Sequence, residues 1–301
     1  MRLLVIGGSG FVSGTLARLA VAAGHETWIV TRGHRPTPEG LTALRADRKD
    51  DAAFGRAVEQ AGGDWDLVVD CIGYDAADAR QDLAVFGKRA RQLVFISTDF
   101  VFDPARRTFP QAEEGVYLDD GSYGAKKRQC ELAMAEGDTR ETAWTVLRPC
   151  HIYGPGSQLG CLPEHGRDPE LIARLRRGES LRLVGGGHFL QQPILAEDLA
   201  KLILSCAGNA KAHGRIYNAA GPDIVESREY YRIIAEVLHA ELKVEEVPVG
   251  EYLSRVPANR SFLCHRIYDL SRLRADGLAA PATPIAEGLR RHVESLPGRQ
   301  A

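Results

Sequence analysis

A chain of 301 residues with 38 basic and 40 acidic side chains has a net charge of -2 and no global field to hold a polyanion, so broad nucleic-acid or anionic-membrane surfaces are disfavoured and any anion must be bound locally. With 44% hydrophobic and 26% charged residues there is ample apolar material for a core, which argues against a disordered chain. No run approaches the ~18 apolar residues of a membrane span. The six cysteines are scattered without a CxxC pair, which suits a reducing cytoplasm and offers no zinc-type ligand set, so no metal is expected.

Residues 1–23 place an arginine before an apolar run, as a signal peptide does. Gly7, Gly8, Gly10 and Gly14 interrupt that run, and strand (3–6), turn and helix (11–23) is the better reading. Strands are predicted at 27–31, 41–46, 67–71, 92–97 and 144–147, with helices at 51–61 and 76–89 between them. This alternation is the pattern of an α/β protein whose parallel sheet is covered by helices. A further helix, capped by Asp120 or Ser122, is expected to run through Lys127 to about Ala135. After Pro149 comes HIYGPGSQLGCLPEHGRDP, a Gly- and Pro-rich loop of a length that is usually functional. Beyond it the sequence predicts a helix at 169–177, a strand and turn in LRLVGGGHF, a helix at 197–207 and a strand in RIYNAAG. A helix at 228–239, a strand in KVEEVPV and a helix at 285–296 complete the chain.

Gly7-Gly8-Ser9-Gly10-Phe11-Val12-Ser13 lies between a strand and a helix, where glycine permits a tight turn and the helix N-terminus receives a pyrophosphate. Ser13 stands where a third glycine would allow close helix-on-strand packing. The second strand ends Val30-Thr31-Arg32-Gly33. An NAD-binding fold commonly has an Asp or Glu there, whereas an Arg suits a 2′-phosphate, so NADP is preferred over NAD. Arg35 and Arg48 are placed to assist, and Asp47 either contacts the adenine or caps the next helix.

Tyr123 and Lys127 are four apart and share a helix face. A nearby ammonium stabilises a phenolate and lowers its pKa, so Tyr123 is the expected proton carrier for a substrate hydroxyl or carbonyl. Lys127 is placed to bond the cofactor's ribose, and Thr98, at a strand end, to orient the reacting oxygen.

The order of GGSGFVS, ISTDFVF, SYGAKK and LRPCHIYGPG resembles the extended or atypical short-chain dehydrogenase/reductases, the NAD-dependent epimerase/dehydratase group, and the likeness extends to PILAEDLA at 193–200. The resemblance implies a Rossmann-type, doubly wound parallel sheet with a smaller C-terminal substrate-binding lobe. Residues 1–155 would form the NAD(P)-binding domain, completed by segments near 181–220, and 156–301 mainly the lobe. It puts Thr98, Tyr123 and Lys127 on the catalytic triad. The cofactor set is Gly7, Ser9, Gly10, Phe11, Val12, Arg32, Asp47, Arg48, Cys71, Lys127, Pro149 and Ile152. The implied substrate is a nucleotide-activated sugar or related small molecule, and the implied assembly a homodimer through the Tyr123 helix.

Dehydratases of this group carry Asp-Glu after the triad Thr. Here Asp99 is followed by Phe100, which disfavours dehydration and leaves a reductase or an epimerase. Candidate substrate contacts are His151, Tyr153, Gln158, His165, His188, Gln191 and Gln192, with Arg260 and Arg266 for a diphosphate. Some atypical members, including chloroplast stem-loop RNA-binding proteins, share the opening segment and the RP-x-x-x-YGPG stretch and act as binding proteins. The near-neutral charge, the intact Tyr123/Lys127 pair and the lack of a basic, aromatic-interleaved stripe argue against that alternative; a protein that binds NADP without turnover is the other one, which loss of all activity across a broad substrate screen would favour.

Overall fold

The run RLLVI at Arg2–Ile6 (β1) is apolar on both sides of its pleat, and Leu3 to Ile6 are all fully buried, as a central strand of a covered parallel sheet requires. The computed structural model describes residues 1–296; the end of the predicted lobe, 297–301, lies outside the described residues. β1 is followed by α1 (Phe11–Ala22), β2 (Glu26–Thr31), β3 (Leu41–Arg45), α2 (Asp51–Gln60), β4 (Leu67–Asp70), α3 (Ala76–Phe86), β5 (Gln92–Ile96), α4 (Tyr123–Glu136) and β6 (Ala143–Pro149).

The seven-stranded sheet runs β3, β2, β1, β4, β5, β6 and Arg215–Ala219, and every pairing in it is parallel. Successive strands spread to opposite sides of β1, so the order reverses between β1 and β4. A crevice opens there beyond the carboxyl ends of the strands, the place where such sheets bind ligands. One face is covered by α1 and the helix Ala196–Ser205, with Leu16, Ala20, Leu199, Leu202 and Ile203 in one core. The other is covered by α2, α3 and α4 through Phe54, Val58, Leu83, Phe86, Cys130 and Met134.

A third core belongs to the lobe. Ser180–Val184 pairs in parallel with Lys243–Val247, and the helices Ser227–Val237 and Ile285–Ser295 pack Tyr230, Tyr231, Leu289 and Val293 against Leu181 and Leu183. Of the segment near 181–220, then, Arg215–Ala219 lies in the main sheet while Ser180–Val184 is paired within the lobe. Ile152–Tyr153 pairs with Ile194–Leu195, and Leu190–Gln191 with Val225–Glu226. Two-residue ladders show no period in sequence, and none was expected at these positions. Two links fix the lobe to the crevice. The Tyr231 hydroxyl accepts from the N–H groups of Cys161 (3.1 Å) and Leu162 (3.0 Å), holding the glycine-rich loop, and Tyr268 N–H donates to Gln192 Oε1 (2.9 Å). Among the described residues no helix is long and apolar enough to cross a membrane, and no group of three His, Cys, Asp or Glu side chains could hold a metal ion.

Candidate active site

The loop between β1 and α1 turns at Gly7 (φ 119°) and Gly8 (φ 89°), and a Cβ on Gly8 would come within 2.4 Å of the Ile29 side chain. That cradle is open only to glycine, which presses the loop against β2 and presents the first turn of α1, whose N–H groups lack intrahelical acceptors. Ser13, in the position of the third glycine, accepts the Gly10 N–H through Oγ (3.2 Å), so one donor of the turn is satisfied within the chain. Ser9 and Gly10 are exposed, Phe11 and Val12 half-buried.

Arg32 is exposed at the end of β2. Arg35 reaches back to the loop, its Nη1 donating to Ser9 O (2.8 Å). The side chain of Arg45, at the end of β3, lies against Gly33, with Cδ 3.4 Å from where a Cβ would stand. Nothing in the sequence singled out Arg45. Arg48 is a correction: it is not at the cofactor surface but buried, paired with Asp70 (2.7 Å), Asp82 (3.0 Å) and Asp78 (3.4 Å). Three carboxylates on β4 and α3 draw it inward, and they outweigh the burial that would push its pKa down. Asp47 is exposed and accepts from Lys49 N–H (3.0 Å), while Asp50 caps α2 by accepting from Ala53 N–H (2.9 Å).

Ser122 caps α4 by accepting from Ala125 N–H (3.3 Å). Gly124 lets the helix start against the turn after β5: a Cβ there would lie 1.8 Å from Phe100 O. One turn on, Lys127 is buried and its Nζ donates to Gly73 O (2.6 Å) and Ile96 O (2.7 Å), tying α4 to the ends of β4 and β5. Glu131 continues this face. Its buried carboxylate accepts from Arg148 Nε (2.8 Å) and Nη2 (2.6 Å), Ser97 Oγ (2.6 Å) and Arg128 Nη1 (2.9 Å).

A cavity of about 740 Å³ lies over this floor. The sheet side contributes Val12, Cys71, Thr98, Pro149 and Ile152, α4 contributes Tyr123 and Lys127, and the lobe side contributes His151, Arg167, Tyr252, Phe262 and Arg266. Thr98, Tyr123 and Lys127 are thus brought to one cavity with four of the expected cofactor residues. Of the His, Tyr and Gln residues named as substrate contacts, His151 alone is among the lining residues. Tyr153 is in the lobe core, and His165, His188, Gln191 and Gln192 bond to Asp168, Glu226, Ser227 and Gly221. Arg260 pairs with Asp120 (2.6 Å).

The electrostatics differ from the expectation at Tyr123. Tyr123 is half-exposed at the cavity; partial burial, with Tyr74 and Asp99 nearby, raises its phenol, while Lys127 spends its donors on carbonyls and is itself pressed down by burial. Asp99 went unnoticed as a structural centre. Its buried carboxylate accepts from Arg266 Nε (2.7 Å) and Nη2 (3.1 Å) and from the Tyr268 hydroxyl, with Arg107 at 3.7 Å. Burial alone would raise it; Arg266 and Arg107 hold it below the ordinary carboxylate range, so it is a fixed anion.

A family model described as NAD dependent epimerase/dehydratase family matches residues 3–220. The chain belongs to this family. Among relatives of this epimerase/dehydratase member, the chloroplast stem-loop binding protein of 41 kDa b of Arabidopsis thaliana is 27% identical over 239 residues, covering 74% of this chain; the match spans 60% of that relative's length. The 2-alkyl-3-oxoalkanoate reductase of Stenotrophomonas maltophilia is 28% identical over 92% of this chain and 86% of its own. The solved UDP-glucose 4-epimerase of Thermus thermophilus, a complex with NAD, superposes with a TM-score of 0.76 at 19% identity over 100% of both chains, which shows the fold. The residues fit a nicotinamide dinucleotide: the Gly8 cradle and first turn of α1 would hold the pyrophosphate, and Val12, Cys71, Pro149 and Ile152 would border the nicotinamide.

Proposed function

We propose that this family member is an NADP(H)-dependent reductase acting on a carbonyl carbon of a nucleotide-activated sugar or a related small molecule. The observation that carries the reading is Tyr123 at the cavity, on a helix locked one turn later by buried Lys127. A bound nicotinamide would supply the hydride exchange. The chain's own work is to receive the carbonyl oxygen between the Tyr123 hydroxyl and Thr98, and to pass the phenolic proton to that oxygen as its charge develops. Arg32 stands exposed at the end of β2, Arg35 reaches the glycine loop and Arg45 lies against Gly33; among the described residues none of them is ion-paired with an acid, and together they would suit a ribose 2′-phosphate. This supports NADPH, a reductant exchanged at each turnover.

Protein purified without added cofactor should be free of nicotinamide nucleotide and bind NADPH more tightly than NADH. Tyr123→Phe should leave NADPH affinity within twofold and cut turnover roughly 100-fold or more, as loss of a general acid does. Stoichiometric NAD(H) carried through purification would replace this reading with an epimerase that regenerates its own cofactor, and binding of neither nucleotide would replace it with a non-catalytic protein.

A further inference from the structure

Charge is not balanced where the lobe meets the reaction floor. Around Asp99 stand two buried guanidinium groups, Arg107 and Arg266, with one carboxylate between them; Tyr268 and Cys264 beside them are both pushed further toward their neutral forms by burial. Arg107 is turned into the protein, its Nη1 donating to the Tyr268 hydroxyl (2.7 Å) and its Nη2 to Asp99 O (2.8 Å), with its Nε buried and unpartnered. Arg266 uses Nε and Nη2 on Asp99, lines the cavity, and stacks over Phe100 with 4.9 Å from its guanidinium carbon to the ring centre. Its Nη1 has no hydrogen-bond acceptor among the described residues.

A third cation, Arg167, lines the same cavity from the glycine-rich loop, where its backbone is left-handed (φ 54°) and its N–H donates to Gly160 O (3.4 Å). Among the described residues it is ion-paired with no acid, and its charge is felt at both Tyr123 and His151. Glu164, the other lining carboxylate, faces Arg182 (3.6 Å) and Arg255 (4.0 Å). His151 is held neutral by burial and by these two arginines, Arg266 and Arg167, and its Nε2 is buried without a partner. An excess buried cation beside unused polar atoms is costly unless an anion completes it.

We propose that the substrate carries a carboxylate on its reacting unit, seated against Arg266 and Arg167 with His151 beside it. The proposal rests on the reductase reading above for which carbon reacts. Arg266 grips Asp99, the residue next to Thr98, and lines the same cavity as Thr98 and Tyr123, so its free Nη1 faces the space in which the carbonyl would react.

The test uses full-length protein loaded with NADPH and three probes: 3-oxooctanoate, its methyl ester and UDP-glucose, each titrated by the rise in melting temperature. The acid should bind at least tenfold more tightly than the ester. Arg167→Gln, on an exposed loop, should weaken the acid at least fivefold while NADPH and the ester change less than twofold. Arg266→Lys, which keeps a cation for Asp99, should weaken the acid as well, because a lysine cannot serve Asp99 and a second carboxylate together. Equal binding of acid and ester, or no binding of the acid, overturns the proposal. So does UDP-glucose binding that Arg167→Gln abolishes while the acid is indifferent, which would give the guanidinium groups to a diphosphate. Acid binding to a protein that takes up no NADPH would leave the anion site standing and sink the reductase reading instead.

Discussion

Glu131→Gln removes one charge and almost no volume. Both Glu131 and Arg148 are completely buried, and the carboxylate takes two hydrogen bonds from Arg148, one from Ser97 and one from Arg128. Solvent does not screen this pair, and breaking a buried pair from one side costs about 3–5 kcal/mol because the partner charge stays behind. A chain of this size gains about 0.6 kcal/mol per kelvin from an unfolding entropy of about 2.1 cal/mol/K per residue, so the melting temperature should fall by about 5–8 °C at pH 7. The loss reaches the chemistry, because Glu131 is one helical turn from Lys127 and two from Tyr123, and its bonds to β5 and β6 set how α4 lies on the sheet. Turnover should fall while NADPH affinity changes little. The pH dependence follows from the direction of the shift. Burial pushes Glu131 up, Arg148 outweighs it, and the folded pKa lies below the unfolded one, so its stabilisation is present above about pH 4.3 and is lost as pH falls through the folded value. Wild-type stability should therefore drop on acidification more than that of the Gln variant, and melts from pH 7 to pH 3 read both curves. A Gln variant melting within 1 °C of wild type at pH 7, with an unchanged acid limb, would refute the reasoning.

Three more outcomes are expected. Arg32→Ala should weaken NADPH roughly tenfold, as loss of a charge-assisted contact does, and NADH less than twofold; equal effects would remove Arg32 from the 2′-phosphate site. Arg48→Met should cost about 3 kcal/mol in urea unfolding, since it strands Asp70 and its neighbours, yet leave the dissociation constant of NADPH unchanged. Gly8→Ala, with a Cβ driven into Ile29 at a left-handed φ, should cost roughly 1–3 kcal/mol and weaken cofactor binding, both measurable by thermal melts with and without NADPH.

What could be read in the sequence was local. The glycine loop, the strand-helix alternation and the four-residue step from Tyr123 to Lys127 are each determined within one element and its neighbours, and all lie where the pattern put them. Arg48 shows the limit. A basic residue after a strand looks the same whether it points to a phosphate or into the protein, and what turns it inward is a carboxylate on β4 and two on α3, 22 to 34 residues away. The pair of Asp99 and Arg266 is more remote, 167 residues apart in sequence, and no spacing rule joins them. The surroundings of Lys127 are out of reach for a related reason: helical spacing brings it near Tyr123, but it cannot say that the ammonium is claimed by Gly73 and Ile96 carbonyls. Arg45 was missed because its strand pattern is no different from that of any edge strand with exposed charges.

The short stretch that carries Arg266 and Tyr268 bears on how separable the two halves are. The family match stops at residue 220, where the last strand of the sheet has just ended. Yet residues 266–269 return to the matched region, bonding backbone to backbone with Leu190 and Gln111 and closing over Asp99. A fragment ending at 220 would hold every strand of the main sheet and still strip Asp99 of its two bonds from Arg266 and the one from Tyr268, leaving it Arg107 alone at 3.7 Å. The lobe is consequently not a module to be exchanged at that border. A chimera with a foreign C-terminal half would keep the floor of this cavity as it stands only if the graft also carried the Arg266–Tyr268 return.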